Sequence, residues 1–395
     1  MRAIYQSIRY RFLCVVLVCL SSGVYADYFI GMRAGFTGPI EQSNRAYQYG
    51  VEAYLAKVNA AGGVKGELIQ LEVLDDGFQQ AAAANNVQRL VSRKNAIAVL
   101  GGGNSITALS MYQAAKSNQT LFIGPIVGVN ELYDSRRFML NTRPSLKSEA
   151  EFLADHLQQK GIQGADIVVA GEIGSGEIDA INTALLTQFG SNSIVEYGYP
   201  ENTLSVSGVA SRIVKSARKQ VVLTGGFASV AQIISSILVE SKGDDWQFYV
   251  LSNTDEALLK GLVPAKAVIN QIGFLPKLDS NELLVTNYKQ DLQSLNGALV
   301  PSMKGLEGYL TAQILLSGIK EVVNPFELES PDDLIKLPFN VIRKFAGWVQ
   351  RGGKDEVRNQ LSDALSVMHT ISVGLDRPVG YEANRNYLDW QLVID

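Results

Sequence analysis

The chain has 395 residues, 47% of them hydrophobic, with 35 basic residues against 39 acidic ones. That length holds two or more cored domains, and a net charge of −4 with no basic stripe argues against a nucleic-acid partner. Both cysteines, Cys14 and Cys19, fall in the first 26 residues, so the remainder has no thiol for a disulfide, a nucleophile or a metal site.

Residues 1–26 stand apart. Arg2, Arg9 and Arg11 open the chain without an acid, "FLCVVLVCL" follows, and "SSGVYA" ends the stretch. A positive start, a short apolar middle and a small-residue end make a secretory signal, and the apolar run is too short for a stable membrane anchor. Cleavage is expected after Ala26, which moves the formal charge from −4 to −7 by removing three arginines. Val18 is too large for a lipobox before Cys19.

From Asp27 strands and helices alternate. "YFIGMRAGF" reads as a strand, and "RAYQYGVEAYLAKVNAAGG" as a helix with Val51, Tyr54, Leu55 and Val58 on one face. "LIQLEVLDD" is a strand, "QQAAAANNVQRLVSRK" a helix, and "AIAVLG" a strand without polar alternation, as burial on both faces requires. "TLFIGP" and "FMLNT" are further strands. The rhythm restarts after Pro144: helix "SEAEFLADHLQQKG", strand "ADIVVAG", helix "EIDAINTALLTQFG", strand "SIVEYGY", helix "SGVASRIVKSAR", strand "QVVLTGG", helix "SVAQIISSILVES", strand "WQFYVLS". This predicts an α/β protein of two doubly wound units with parallel sheets. From Gly273 the stretch "GFLPKLDSNELL" reads as loop, and "MKGLEGYLTAQILLSGIKEVV" reads as a long helix. Glycines 305, 308 and 318 in that helix imply close packing, since each costs about 1 kcal/mol against alanine. A helix over "VRNQLSDALSVM" and a strand over "YLDWQLVID" close the chain.

Ligands of open parallel sheets bind beyond the strand carboxyl ends. That rule selects 35–43, 101–107 and 124–131 in the first unit, and 171–177, 225–229 and 251–256 in the second. In "GGGNSIT", Gly101, Gly102 and Gly103 permit close backbone approach, while Asn104 and Ser105 stand where a helix begins. The N–H groups there favour an anion such as a carboxylate, and the same residues also serve plain helix capping. Competing motifs fail. "GEIGSGEID" lacks the dinucleotide spacing, no phosphate loop is present, and Thr107 replaces the last glycine of a nucleophile elbow. His156 and His369 both read as structural. Asp75-Asp76 reads as a turn cap more readily than as a cation site. No catalytic residue, metal or cofactor is expected, and the chain is not expected to be an enzyme.

Taken in order, "GFTGPI", "NAAGGVKG", the "LDD" strand end, "LVSRKNAIAVLGG", "FIGP", "VVLTGGF", "GLEGYLTAQILLSGI" and "ISVGLDRPVGYEANRN" resemble the type I periplasmic solute-binding proteins of the branched-chain amino acid class. The likeness spans nearly all of 27–395. It implies two Rossmann-like lobes joined by three crossovers: 27–141 plus 274–370, and 142–273 plus 371–395. It further implies a monomeric periplasmic receptor that closes on a small ligand, an amino acid or a related carboxylate or amide. Such a receptor delivers its ligand to the permease of an ABC importer or, alternatively, informs a membrane sensor. Carried onto this chain, the ligand carboxylate falls to Ser105, with Asn104 and Gly103 beside it, and to the loop holding Ile126 and Gly128. Gly128 replaces a common threonine. Ser43 stands where an aromatic cover is usual, and Phe227 matches a lobe-two aromatic without its hydroxyl. The acid expected at the ligand's ammonium aligns near Asn253, with Asp255 two residues on. A free α-amino acid therefore requires a counter-charge that the motif does not supply.

Overall fold

The computed structural model describes residues 28–323 and 389–393, apart from 39, 65, 134–137, 174–175, 192, 201–202, 243–244, 256–257, 260 and 265. The signal-like segment, the helix read at 357–368 and His369 lie outside the described residues.

Lobe one is built on β1 (Tyr28–Ala34), β2 (Ile69–Asp75), β3 (Ala98–Gly101), β4 (Leu121–Pro125) and β5 (Met139–Leu140), all parallel, in the order β2-β1-β3-β4-β5. Helices α1 (Glu41–Ala60), α2 (Gln80–Lys94) and α3 (Ser105–Ser117) connect them. Ile30, Met32 and Ala34 of β1 enter the core shared with α1, while Gly31 lies against Leu90 of α2 on the other face. Burial on both sides accounts for the unbroken apolar runs of this sheet.

Lobe two repeats the plan. Its elements are α4 (Leu146–Gln159), β6 (Ile167–Glu172), α5 (Gly176–Phe189), β7 (Val195–Tyr199), α6 (Ser207–Ser216), β8 (Gln220–Leu223), α7 (Phe227–Ser241), β9 (Gln247–Val250) and β10 (Val268–Ile272). The sheet runs β7-β6-β8-β9-β10-β11, and β11 (Asp389–Val393) pairs antiparallel with β10. Both sheets reverse direction of winding at one point, between β1 and β3 and between β6 and β8. The crevices outside those strand ends are the sites the topology prepares.

The chain leaves lobe one at 141–145, between β5 and α4. It returns after β10 to α8 (Leu283–Leu295) and α9 (Met303–Val323), which pack on α1. The loop read over 273–284 gives way to α8 at Leu283, and most of α8 lies beyond that loop. The buried stripe of α8, Val285, Tyr288 and Leu292, follows helical spacing but is only three residues long. The glycines of α9 do pack closely. A Cβ on Gly308 would overlap the Tyr47 carbonyl oxygen of α1, and one on Gly50 would overlap that of Gly305. Among the described residues no helix is long and apolar enough to cross a membrane.

Candidate functional site

In lobe one, β3 ends in Gly101 and Gly102, both at positive φ, which turn the chain under Arg33 before α3 begins. Asn104 is the N-cap of α3: its Oδ1 accepts the Thr107 N–H at 2.8 Å and the Thr107 hydroxyl at 3.0 Å. The cap is thus Asn104 rather than Ser105, and half-buried Ser105 has its hydroxyl outside the capping role. Helix geometry leaves the Ser105 and Ile106 N–H groups without intrahelical partners, at the positive end of the α3 dipole. Gly103 lies against the side chain of Asn44, which is tied to the Gly35 carbonyl at 2.8 Å. Ser43, next to Asn44 on α1, is buried.

The acids at the β2 end are used internally. Asp75 accepts the Phe36 and Gly77 N–H groups, each at 2.9 Å, and the Thr37 hydroxyl at 3.0 Å. Burial opposes its charge, but the Gly77 and Phe36 N–H groups outweigh that and lower its pKa. Asp76 caps Phe78 and pairs at 2.5 Å with the fully buried Arg33, whose pKa burial brings down to about 9. His156 lies in α4 stacked beside Phe152, away from both strand-end crevices.

Lobe two presents the opposite polarity. Gly225 and Gly226 precede α7, and their N–H groups are taken by protein carboxylates: Gly225 by Glu177 at 3.3 Å and Gly226 by Glu172 at 3.2 Å. Glu177, in the first turn of α5, also accepts Asn253 Nδ2 at 2.5 Å. Asn253 Oδ1 is left without a hydrogen-bond partner. Phe227 opens α7 beside these glycines, half-buried. Burial raises the Glu177 pKa, with Glu172 and Glu149 adding to it, against the hydrogen bonds from Asn253 and Gly225. So the α7 terminus is already neutralised, and this face is electronegative.

Arg143, on the first crossover, joins the two faces. Its Nη1 donates to the Ile126 carbonyl in lobe one at 2.5 Å, and its Nη2 donates to the Ser252 hydroxyl in lobe two. Glu149 accepts the Ser252 N–H and hydroxyl at 2.8 and 2.7 Å and lies 3.9 Å from Arg143, while Glu307 of α9 lies 3.6 Å away. Burial opposes the Arg143 charge, but Glu307 and then Glu149 outweigh it and raise its pKa. Ile126 and Gly128 are buried and spend their carbonyls on this crossing; Gly128 accepts the Leu146 N–H at 2.8 Å.

The sequence-selected residues therefore separate into groups. Gly103, Asn104 and Ser105 form the lobe-one face, and Phe227 and Asn253 belong to the lobe-two face. Ile126 and Gly128 serve the crossover. Ser43 and Asp255 line a cavity of about 380 Å³ to which both lobes contribute. Sequence reasoning missed Glu172, Glu177 and Arg143. Glu172 and Glu177 stood inside the strand-end stretch it selected, but nothing local distinguished them from helix-start acids.

A family model for periplasmic binding proteins matches residues 27–335. The chain belongs to that family. A relative in the same family, "Leu/Ile/Val-binding protein homolog 3" of Brucella melitensis biotype 1, is 26% identical over 220 residues, 54% of this chain and 58% of its own. The chain thus spans a little over half the length of that curated relative. Among family structures, a possible leucine/isoleucine/valine-binding protein from Rhodopirellula baltica SH 1 superposes with a TM-score of 0.72 at 21% identity, covering 87% of each chain. The branched-chain amino acid transporter substrate-binding protein LivJ of Streptococcus pneumoniae, solved with isoleucine, gives 0.67 at 12% identity, covering 85% of this chain and 88% of its own. At these identities the structures establish the two-lobed fold.

Proposed function

We propose that the protein is an exported, non-enzymatic receptor that captures a zwitterionic amino acid between its lobes and hands it to the permease of an ABC importer. One observation carries this reading: the two strand-end faces have opposite polarity. The α3 terminus has N–H groups without helical partners and the Ser105 hydroxyl, which suit a carboxylate, while lobe two holds the carboxylates Glu177 and Glu172 at its own strand ends, which suit an ammonium. A buried ammonium without a counter-charge is costly, and Glu177 supplies the charge that Asn253 lacks. Isoleucine in the Streptococcus pneumoniae neighbour and the names of the curated relatives support an aliphatic amino acid.

Calorimetric titration with leucine, isoleucine, valine and their deaminated 2-keto acids tests this. Amino acids should bind and keto acids should not. Glu177→Gln should weaken amino-acid binding by roughly 10- to 100-fold, the range for one hydrogen bond to a charged group. Equal binding of keto acids, or an unchanged affinity in E177Q, overturns the assignment of Glu177.

A further inference from the structure

Glu149 stands in the first turn of α4, buried, and has no part in the proposed capture. Both of its carboxyl oxygens go to one residue: Oε2 accepts the Ser252 N–H at 2.8 Å and Oε1 the Ser252 hydroxyl at 2.7 Å. A carboxyl group is costly to bury, and burial raises the Glu149 pKa against the pull of Arg143 and the two bonds from Ser252. What that bidentate grip secures is the strand end next to it. Ser252 lies two residues past the end of β9, and Asn253 follows directly. Fixing the Ser252 backbone and hydroxyl therefore fixes the direction in which the Asn253 side chain leaves the strand. That side chain donates to Glu177 Oε1 at 2.5 Å, while the Gly225 N–H holds Glu177 Oε2 at 3.3 Å.

The other end of this run of contacts lies on the first crossover. Arg143 Nη2 donates to the same Ser252 hydroxyl and stands 3.9 Å from Glu149 Oε1. Its Nη1 donates to the Ile126 carbonyl of lobe one at 2.5 Å. The Ser252 hydroxyl thus accepts from Arg143 and donates to Glu149. A glutamine at 149 cannot reproduce the pattern. Its NH2 group would point a donor either at the Ser252 N–H or at a hydroxyl that already accepts from Arg143.

We infer that Glu149 is a positioning residue for the ammonium end of the proposed ligand site: it sets Ser252 so that Asn253 holds the Glu177 carboxyl group, and through Arg143 it ties that setting to the crossover. Glu149 itself makes no contact with ligand. The inference rests on the assignment of Glu177 to the ammonium.

A double-mutant cycle on the full chain, read by calorimetric titration with leucine, tests this. Glu149→Gln alone should weaken binding roughly tenfold, within the range of couplings between residues that share a partner. In the E177Q background the same change should cost no more than about a further twofold, because Glu149 acts through Glu177. General damage to the lobe would instead add in full in both backgrounds. A second readout needs no ligand: the side-chain amide resonance of Asn253 in the nitrogen–proton NMR spectrum should move in E149Q and in Ser252→Ala. Should E149Q fail to fold, Ser252→Ala, which removes only the hydroxyl link, takes its place in the cycle. Additive losses, an unmoved Asn253 amide, or an E149Q protein that binds like the parent while E177Q is weakened overturns the inference. An E177Q protein that binds like the parent overturns the Glu177 assignment instead, and the amide spectrum then decides whether Glu149 sets Asn253.

Discussion

Glu177 is held by burial in a state that resists ionisation, and its one strong side-chain partner is the neutral Asn253. A ligand ammonium reverses that balance, so binding should expel a proton wherever Glu177 is still protonated. Amino-acid affinity should be flat at high pH. It should fall as pH drops through the raised Glu177 value, above the ordinary carboxylate range near about 4.3. Titrations in two buffers of different ionisation enthalpy, across pH 4.5–8, check this; constant affinity down to pH 4.5 contradicts it. The same shift has a stability sign. The folded chain holds this proton more tightly than the unfolded chain does. The contribution is therefore full below the ordinary value and is lost as pH rises through the raised one, and E177Q should remove that slope. Arg143 is a harder constraint, because Glu149 and Glu307 both depend on it. Arg143→Met should lower unfolding stability by about 3–5 kcal/mol, the usual cost of leaving buried charge uncompensated, as read by denaturant titration. None of this was legible locally: Arg143 reads as an ordinary residue in "NTRPS".

Among the elements, α9 was the most readable, because its apolar content and its internal glycines pointed the same way. Its contact with α1 gives the glycines their reason. Gly308→Ala gains about 1 kcal/mol of helix propensity but forces a methyl group into the Tyr47 carbonyl. Overpacking of this kind costs about 1–3 kcal/mol, so a lower denaturant midpoint at unchanged slope is expected. A midpoint at or above that of the parent would show that the helices separate freely. At α3 the capping alternative proved right for Asn104 and thereby left Ser105 for another role. The sequence could not divide those two duties, since either side chain satisfies the preference for a polar residue before a helix. Element α8 carries helical spacing in Val285, Tyr288 and Leu292, but three buried positions are a short signal, and packing against α1 completes it.

In the whole molecule, one buried cation ties the Ile126 carbonyl of one lobe to Ser252 of the other, and Ser252 also lines the cavity shared between lobes. Closure around that junction is the motion that the proposed capture requires. Saturating amino acid should reduce the radius of gyration in small-angle scattering, and E177Q should need a higher concentration for the same change. An unaltered profile at saturation would remove closure from the account. The alternation of strand and helix and the glycines at strand ends determined the doubly wound plan and its candidate strand-end crevices, because each is carried by neighbours along the chain. Which acid stands beside Asn253 was decided only by folding, because Glu177 and Asn253 are 76 residues apart and meet only when β6, β8 and β9 lie side by side.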